Sequence, residues 1–187
     1  MALKTTRKKP SWNDIKSQLA DFDRAGLLGL VQDMYTASSD NKAFLHARFG
    51  LGEDPLEPYK DVIIRWINPQ DYRSPISVSK AKKAISDYKK ALGQPESLAE
   101  LTVFYCEEAF KFLAGCGVDD EGFYDALVRM FEQALKYVLA LPKAQQIAFL
   151  VRLDHVRHLG QEVGWGVGED FDHFWAEAGL AEEDDAS

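Results

Sequence analysis

Two long segments of this sequence carry apolar residues around most of the circumference of a helix. Residues 95–115 read PESLAELTVFYCEEAFKFLAG, and residues 119–141 read DDEGFYDALVRMFEQALKYVLAL. A helix that is apolar on nearly all sides has to be covered by other parts of the protein. Pro95 opens the first segment and Pro142 ends the second, as helix boundaries require. The sequence therefore predicts two central core helices, with Phe131 fully buried.

Shorter segments on both sides of these two also carry apolar residues every three or four positions. Each is bounded by a capping residue, a glycine or a proline. The whole pattern predicts an all-α protein of about eight helices. The glycine-rich stretch GWGVG, residues 164–168, lacks the preceding strand that a phosphate-binding loop needs, so we expect a turn with Trp165 inserted into the core.

The segments predict an N-terminal helical hairpin and a larger C-terminal helical bundle. Residues 68–76 contain two prolines, so they cannot form one helix, and they are the expected boundary. On this basis residues 11–68 form the hairpin and its linked helices, and residues 77–180 form the bundle. Residues 1–10 are expected to be a basic flexible arm, and residues 181–187 an acidic disordered tail.

Charge is distributed unevenly along the 187 residues. Residues 1–91 carry 16 Lys or Arg against 11 Asp or Glu, whereas residues 92–187 carry 6 against 19, so the net charge of −8 comes from the second half. No apolar run is long enough to span a membrane, and the N-terminus lacks the apolar stretch of a signal peptide. A cytoplasmic protein with two reduced cysteines, Cys106 and Cys116, is the expectation, and no cofactor is predicted.

The segment SVSKAKKAISDYKK, which begins at Ser77, concentrates lysines in this acidic chain. On a helical wheel the apolar residues from Val78 to Leu92 crowd one side, and the lysines occupy the other. That arrangement is typical of the solvated face of a helix. A phosphate-binding surface is the alternative, especially if the basic sequence KTTRKKP at the N-terminus lies beside it. The candidate nucleic-acid-binding residues are Lys80, Lys82, Lys83, Lys89 and Lys90.

A second candidate site lies in RLDHVRHLGQEVGWGVGEDFDHFW, residues 152–175. His155 and His158 are three positions apart on one helix face, and with Glu162 they could ligate zinc or iron. The spacing matches no known metal motif, however. His158 also follows Ile147 and Val151 around the helix, so a partly buried structural histidine bonded to a neighbour is the preferred interpretation.

No complete catalytic pattern is present, and no catalytic residue is predicted. Glu107 and Glu108 are adjacent on a helix and therefore face different directions, so they cannot form a carboxylate pair. The motif SVSK, from Ser77 to Lys80, matches the spacing of a serine–lysine nucleophile, but helix capping explains that serine better.

Four stretches together resemble a bacterial family of small helical proteins of unknown function. They are IKSQLADFDRAGLLGLVQDMY, EPYKDVIIRWINP, SVSKAKKAISDYKKA and FYDALVRMFEQALKYV, and the resemblance covers about residues 12–175. It implies a helical fold but no activity, substrate or site residue. The hypothesis that best fits the sequence is a non-enzymatic cytoplasmic module that binds a protein partner or itself. Nucleic-acid binding through the lysines is the alternative, and a metal-dependent enzyme at His155 and His158 is a weaker one.

Overall fold

The computed structural model of this protein describes residues 9–52 and 54–181, and these residues form nine α-helices and no strand. The all-α prediction is confirmed, and the expected number of about eight helices is close. The helices are α1 Trp12–Leu19, α2 Arg24–Ala37, α3 Ser39–Phe49, α4 Glu57–Ile67, α5 Val78–Ala91, α6 Pro95–Gly115, α7 Glu121–Leu139, α8 Lys143–Gly160 and α9 Val167–Glu177.

The predicted basic arm and acidic tail fall mainly on residues 1–8 and 182–187, which lie outside the described residues. Among the helices of the described part, none is long and apolar enough to cross a membrane.

The chain divides into two compact units, Met1–Leu45 and His46–Ser187. The sequence placed this boundary at residues 68–76 instead. In the structure α4, which precedes that loop, packs against α5 and α6, which follow it. The amide of Ser77 also donates a hydrogen bond to the carbonyl oxygen of Trp66 across the loop, at 2.9 Å. The prolines of the loop 68–76 interrupt the helical structure between α4 and α5. The chain reverses direction there, so α4 and α5 pack against each other within one unit.

The first unit begins its helices with the caps that its sequence predicts. The amide and hydroxyl of Ser11 both donate to the carboxylate of Asp14, each at 2.7 Å, and the carboxylate of Asp23 accepts from the amide of Gly26 at 2.7 Å. Such caps satisfy the amides at a helix start that have no partner within the helix. Yet α1 and α2 contain no buried residue. The two helices form where predicted, but the expected hairpin has no core of its own.

The second unit holds the core, which is centred on α6 and α7 and closed by α8 and α9. Phe131 is fully buried, as predicted. The last two helices approach each other closely at Gly160, where an added Cβ would lie only 2.7 Å from the ring of Phe171. The glycine thus permits a contact that a side chain would block.

Trp165 does not enter the core, so that part of the prediction was wrong. Its side chain is 54% exposed, and its ring stacks on that of Tyr124 with centroids 5.7 Å apart. Trp165 has a φ of 65° and Gly166 a φ of 72°. This pair of left-handed residues reverses the chain between α8 and α9 and turns the indole outward.

Candidate binding surfaces

The lysine-rich helix α5 has the two faces that its sequence predicts. Ala81, Ala84, Ile85 and Tyr88 are buried, and the ring of Tyr88 meets that of Tyr59 edge to face at 5.3 Å. Burying this stripe against α4 and α6 fixes the rotation of the helix. The lysines are consequently directed away from the core.

Four of the five candidate lysines contact groups within the same unit. Lys83 and Lys90 both pair with Asp87, at 2.5 and 3.9 Å. The ammonium of Lys89 donates to the hydroxyl of Tyr137 at 3.2 Å, and that of Lys80 lies 3.7 Å from the centroid of the Trp66 ring. Lys82 has no described partner.

These contacts reduce the positive character of the lysine face. Asp87 places a carboxylate between Lys83 and Lys90, so a polyanion would have to compete with it. Lys83 and Lys90 are exposed, and exposed ion pairs are worth only about 0.2–1 kcal/mol. The solvated-face interpretation therefore accounts for the geometry of α5. The basic N-terminal sequence that would enlarge the surface falls mostly on residues outside the described part.

The three candidate metal ligands do not form a ligand group. His158 is exposed and its Nδ1 lies 2.8 Å from the backbone carbonyl oxygen of Asp154, while His155 and Glu162 are also exposed. Within residues 9–52 and 54–181, no cluster of three or more histidine, cysteine or acidic side chains is arranged to hold a metal ion. The contact to Asp154 agrees with a histidine bonded to a neighbour.

The expectation that His158 is partly buried along with Ile147 and Val151 was wrong. Ile147 and Val151 are 66% and 67% exposed, because α8 turns Phe149, Leu153 and Val156 toward the core instead. Sequence periodicity left two possible faces on this helix, and packing selected the other one.

A network of half-buried charges joins α4, α6 and α8, and the sequence did not predict it. The guanidinium of Arg152 donates to both carboxylate oxygens of Glu107, at 2.7 and 2.8 Å, and to Glu100 at 2.5 Å. Lys60 reaches Glu100 from α4 at 3.0 Å. Residues of this network that lie on different helices are separated by 40 or more positions in the sequence. No local motif therefore links them.

The network contains two cations and three carboxylates, because Lys60 also lies 3.8 Å from the carboxylate of Asp54. Burial of Glu100 opposes its ionisation, but hydrogen bonds and charge attraction from Arg152 and Lys60 outweigh that effect and lower the pKa of Glu100. The carboxylates of Glu100 and Glu107 are committed to the guanidinium. The network thus holds three helices together and leaves no poised acid or base.

Glu107 and Glu108 face different directions, as predicted. Glu107 pairs with Arg152, whereas Glu108 is buried and accepts hydrogen bonds from Asn68 at 2.8 Å and from Lys111 at 2.6 Å. Asn68 lies at the end of α4, so the buried carboxylate anchors the start of the loop 68–76 to α6. Glu108 therefore has a structural role.

The first unit presents the largest group of exposed apolar side chains in the described part of the chain. On α2, Leu27, Val31 and Met34 are 41%, 44% and 52% exposed and lie on one face, at positions i, i+4 and i+7. The other exposed large apolar residues of the unit are Trp12, Ile15, Phe22, Leu28 and Phe44. The spacing of Leu27, Val31 and Met34 along the sequence gives an apolar face to α2, and the structure leaves that face exposed.

Comparison with family models, with curated proteins and with solved structures finds no match for this chain. The fold defines its class as an all-α protein with a helical bundle in the second unit. The resemblance to a bacterial helical family stays a prediction.

Proposed function

We propose that this protein is a non-enzymatic interaction module that docks a protein partner on the apolar face of α2. The observation that supports this is the exposure of Leu27, Val31 and Met34 on one face of a helix without any buried residue. Large exposed apolar surfaces are characteristic of interaction sites. In the complex, α2 would act as an amphipathic helix, and an apolar groove or helix face of the partner would cover its stripe.

Size provides a second argument for docking. The described part of the first unit spans residues 9–45, which is too short a chain to bury a stable core by itself. A partner surface would supply the missing core. We further propose a cytoplasmic location, which the two free cysteines support, since thiols persist in reducing compartments.

The experiment is site-specific photo-crosslinking followed by reconstitution. A photoreactive amino acid replaces Val31 on the apolar face or Thr36 on the opposite side of α2, in cells that produce the protein. We expect a defined adduct from the Val31 position alone. The captured protein, or a second copy of this chain, is then purified and its affinity for the unmodified protein is measured by calorimetry.

The matched variants are Val31→Asp with Met34→Asp, and Val151→Asp on the exposed apolar face of α8. The first pair should weaken the reconstituted complex about 30-fold or more, the effect of losing an interface hot spot of about 2 kcal/mol. Val151→Asp makes the same chemical change in a different exposed face and should leave affinity unchanged. Equal crosslinking from both positions of α2, or a complex indifferent to the double variant, would overturn the proposal. A nucleic acid as the only adduct would favour the lysine-based alternative.

A further inference from the structure

A groove in the second unit lies between the last turns of α4 and the loop 68–76. It has a volume of about 540 Å³ and combines an aromatic wall, two prolines, an isoleucine and charged groups. Its lining includes the charged residues Asp61, Arg65 and Asp71, the ring of Trp66, and the apolar residues Ile64 and Pro69. The groove belongs to the second unit, whereas the α2 stripe of the proposed function belongs to the first.

Several contacts fix the walls of this groove. The amide of Asn68 closes α4 by donating to Ile64 at 2.8 Å, and its side chain is bound to the buried Glu108. In the loop, the amides of Arg73 and Ser74 both donate to Asp71, at 3.0 and 2.8 Å. Prolines restrict the backbone at two further positions. The groove is therefore preformed, which lowers the entropy cost of binding.

The ring of Trp66 already contacts a cation. The ammonium of Lys80, from the first turn of α5, lies 3.7 Å from the centroid of the half-buried Trp66 ring. Tryptophan provides the best ring face for such a contact. Lys80 makes no ion pair with any carboxylate of the described residues, so the ring is its partner. The contact shows that a face of the Trp66 ring accepts an ammonium group.

The groove also contains carboxylate oxygens that accept no hydrogen bond from the described residues. Asp61 makes no hydrogen bond or ion pair with any residue that the structure describes, and Asp71 uses only one carboxylate oxygen, for the amide of Arg73. Arg65 is the one cation of the lining, so the lining carries one more negative than positive charge. Ile64, Pro69 and Pro75 add apolar surface suited to an aliphatic stem.

We propose that this groove binds a basic side chain from an extended protein segment. The cationic head displaces Lys80 from the Trp66 ring and pairs with Asp61 or Asp71, and the aliphatic stem lies over the apolar wall. Lys80 acts as an internal substitute for the ligand, and its release leaves an exposed lysine in solvent.

The test uses three capped peptides that differ only in charge. The basic probe is Ala-Pro-Lys-Pro-Arg-Ala, the neutral control replaces lysine with norleucine and arginine with citrulline, and the acidic control carries two glutamates. Binding is followed by NMR through the indole N–H signal of Trp66, assigned with the variant Trp66→Phe. We expect the basic peptide alone to shift this signal, with a Kd between about 10 µM and 1 mM, as a few side-chain contacts allow.

Two variants separate the roles of charge and ring. Lys80→Gln removes the internal cation and should tighten binding about two- to fivefold, the factor that corresponds to an exposed cation–π contact. Lys82→Gln makes the same change in net charge at a lysine that has no described partner, and it serves as the control. The tightening should exceed any change that Lys82→Gln causes. Asp61→Asn should weaken binding about two- to fivefold, as for an exposed ion pair.

The proposal fails if the Trp66 signal does not move at about 5 mM basic peptide, a concentration well above the expected Kd. It also fails if the neutral or acidic peptide binds equally well, or if Lys80→Gln binds no better than Lys82→Gln. None of these results bears on the α2 stripe, because the residues substituted in this test all lie in the second unit.

Discussion

The rings of Phe131 and Phe171 stack nearly parallel in the core of the second unit, with centroids 4.0 Å apart and planes inclined by 20°. Phe131 belongs to α7 and Phe171 to α9, and neither has measurable exposure. This contact joins the short last helix to the central one. It makes the core of the bundle depend on a residue 40 positions further along the chain.

Truncation of Phe131 should therefore destabilise the bundle strongly. We expect Phe131→Ala to lower the free energy of unfolding by about 3–5 kcal/mol, through lost burial and the cavity left beside Phe171. Denaturant unfolding followed by circular dichroism measures it. Ile147→Ala, at a site that is 66% exposed, is the control and should cost less than about 1 kcal/mol. Equal costs for the two variants would contradict the packing described for α7.

The charge network around Arg152 gives a second prediction. Arg152→Met leaves Glu100 and Glu107 half-buried without their shared cation, and we expect a loss of about 1–3 kcal/mol near pH 7. The control is Arg129→Met, which removes a pair with Asp125 that is exposed on both sides and should cost less than about 1 kcal/mol.

The same network predicts a pH dependence with a definite sign. The pKa of Glu100 is lowered in the folded state from an ordinary value of 4.5, so its contribution to stability is present above that pH. It is lost as the pH falls through the lower, folded-state pKa. The stability difference between the parent protein and Arg152→Met should therefore shrink under acidic conditions. A difference that grows on acidification would contradict the assigned contacts.

The two cysteines should differ sharply in reactivity. Cys106 is fully buried, and burial raises the pKa of its thiol, so it stays protonated at neutral and mildly alkaline pH. Cys116 is partly exposed. Titration of the native protein with a thiol reagent should show one fast-reacting group, and the variant Cys116→Ser should show none. Two fast groups would mean that α6 is not packed as described.

The lysine face of α5 offers a decisive comparison with the nucleic-acid alternative. Reversal of Lys83 and Lys90 to glutamate should leave the fold intact at a cost below about 1 kcal/mol, although the new charges lie beside Asp87. We expect no binding of labelled DNA or RNA by the parent protein at low salt, as measured by fluorescence anisotropy. If the parent does bind, the double variant should flatten the dependence of log K on log salt by about two units, which would establish the alternative.

The helices themselves were predictable because their signals are local. Caps at Ser11 and Asp23, the apolar stripe of α5 and the burial of Phe131 all follow from spacing within one segment. Proline and glycine act on their own backbone, so the ends of the helices could also be placed. The separation of the lysines from the buried face of α5 needed no tertiary knowledge.

Which apolar stripe is buried was decided only by tertiary packing. Ile147 and Val151 have the spacing of a core face, yet α8 buries another side, and the stripe of α2 stays exposed. Periodicity shows that a face exists but not which surface covers it. For the same reason the loop 68–76 looked like a boundary, although α4 and α5 pack on each other across it.

The contacts of the charged side chains could not be predicted from the sequence for a related reason. Arg152 meets Glu107 from 45 positions away, and the Lys80 ammonium reaches Trp66 across the loop 68–76. The sequence determined that these residues are charged or aromatic and on which helix each lies. Their partners were selected by the angles at which the helices pack, because side chains of different helices meet only where the fold brings their faces within a few ångströms.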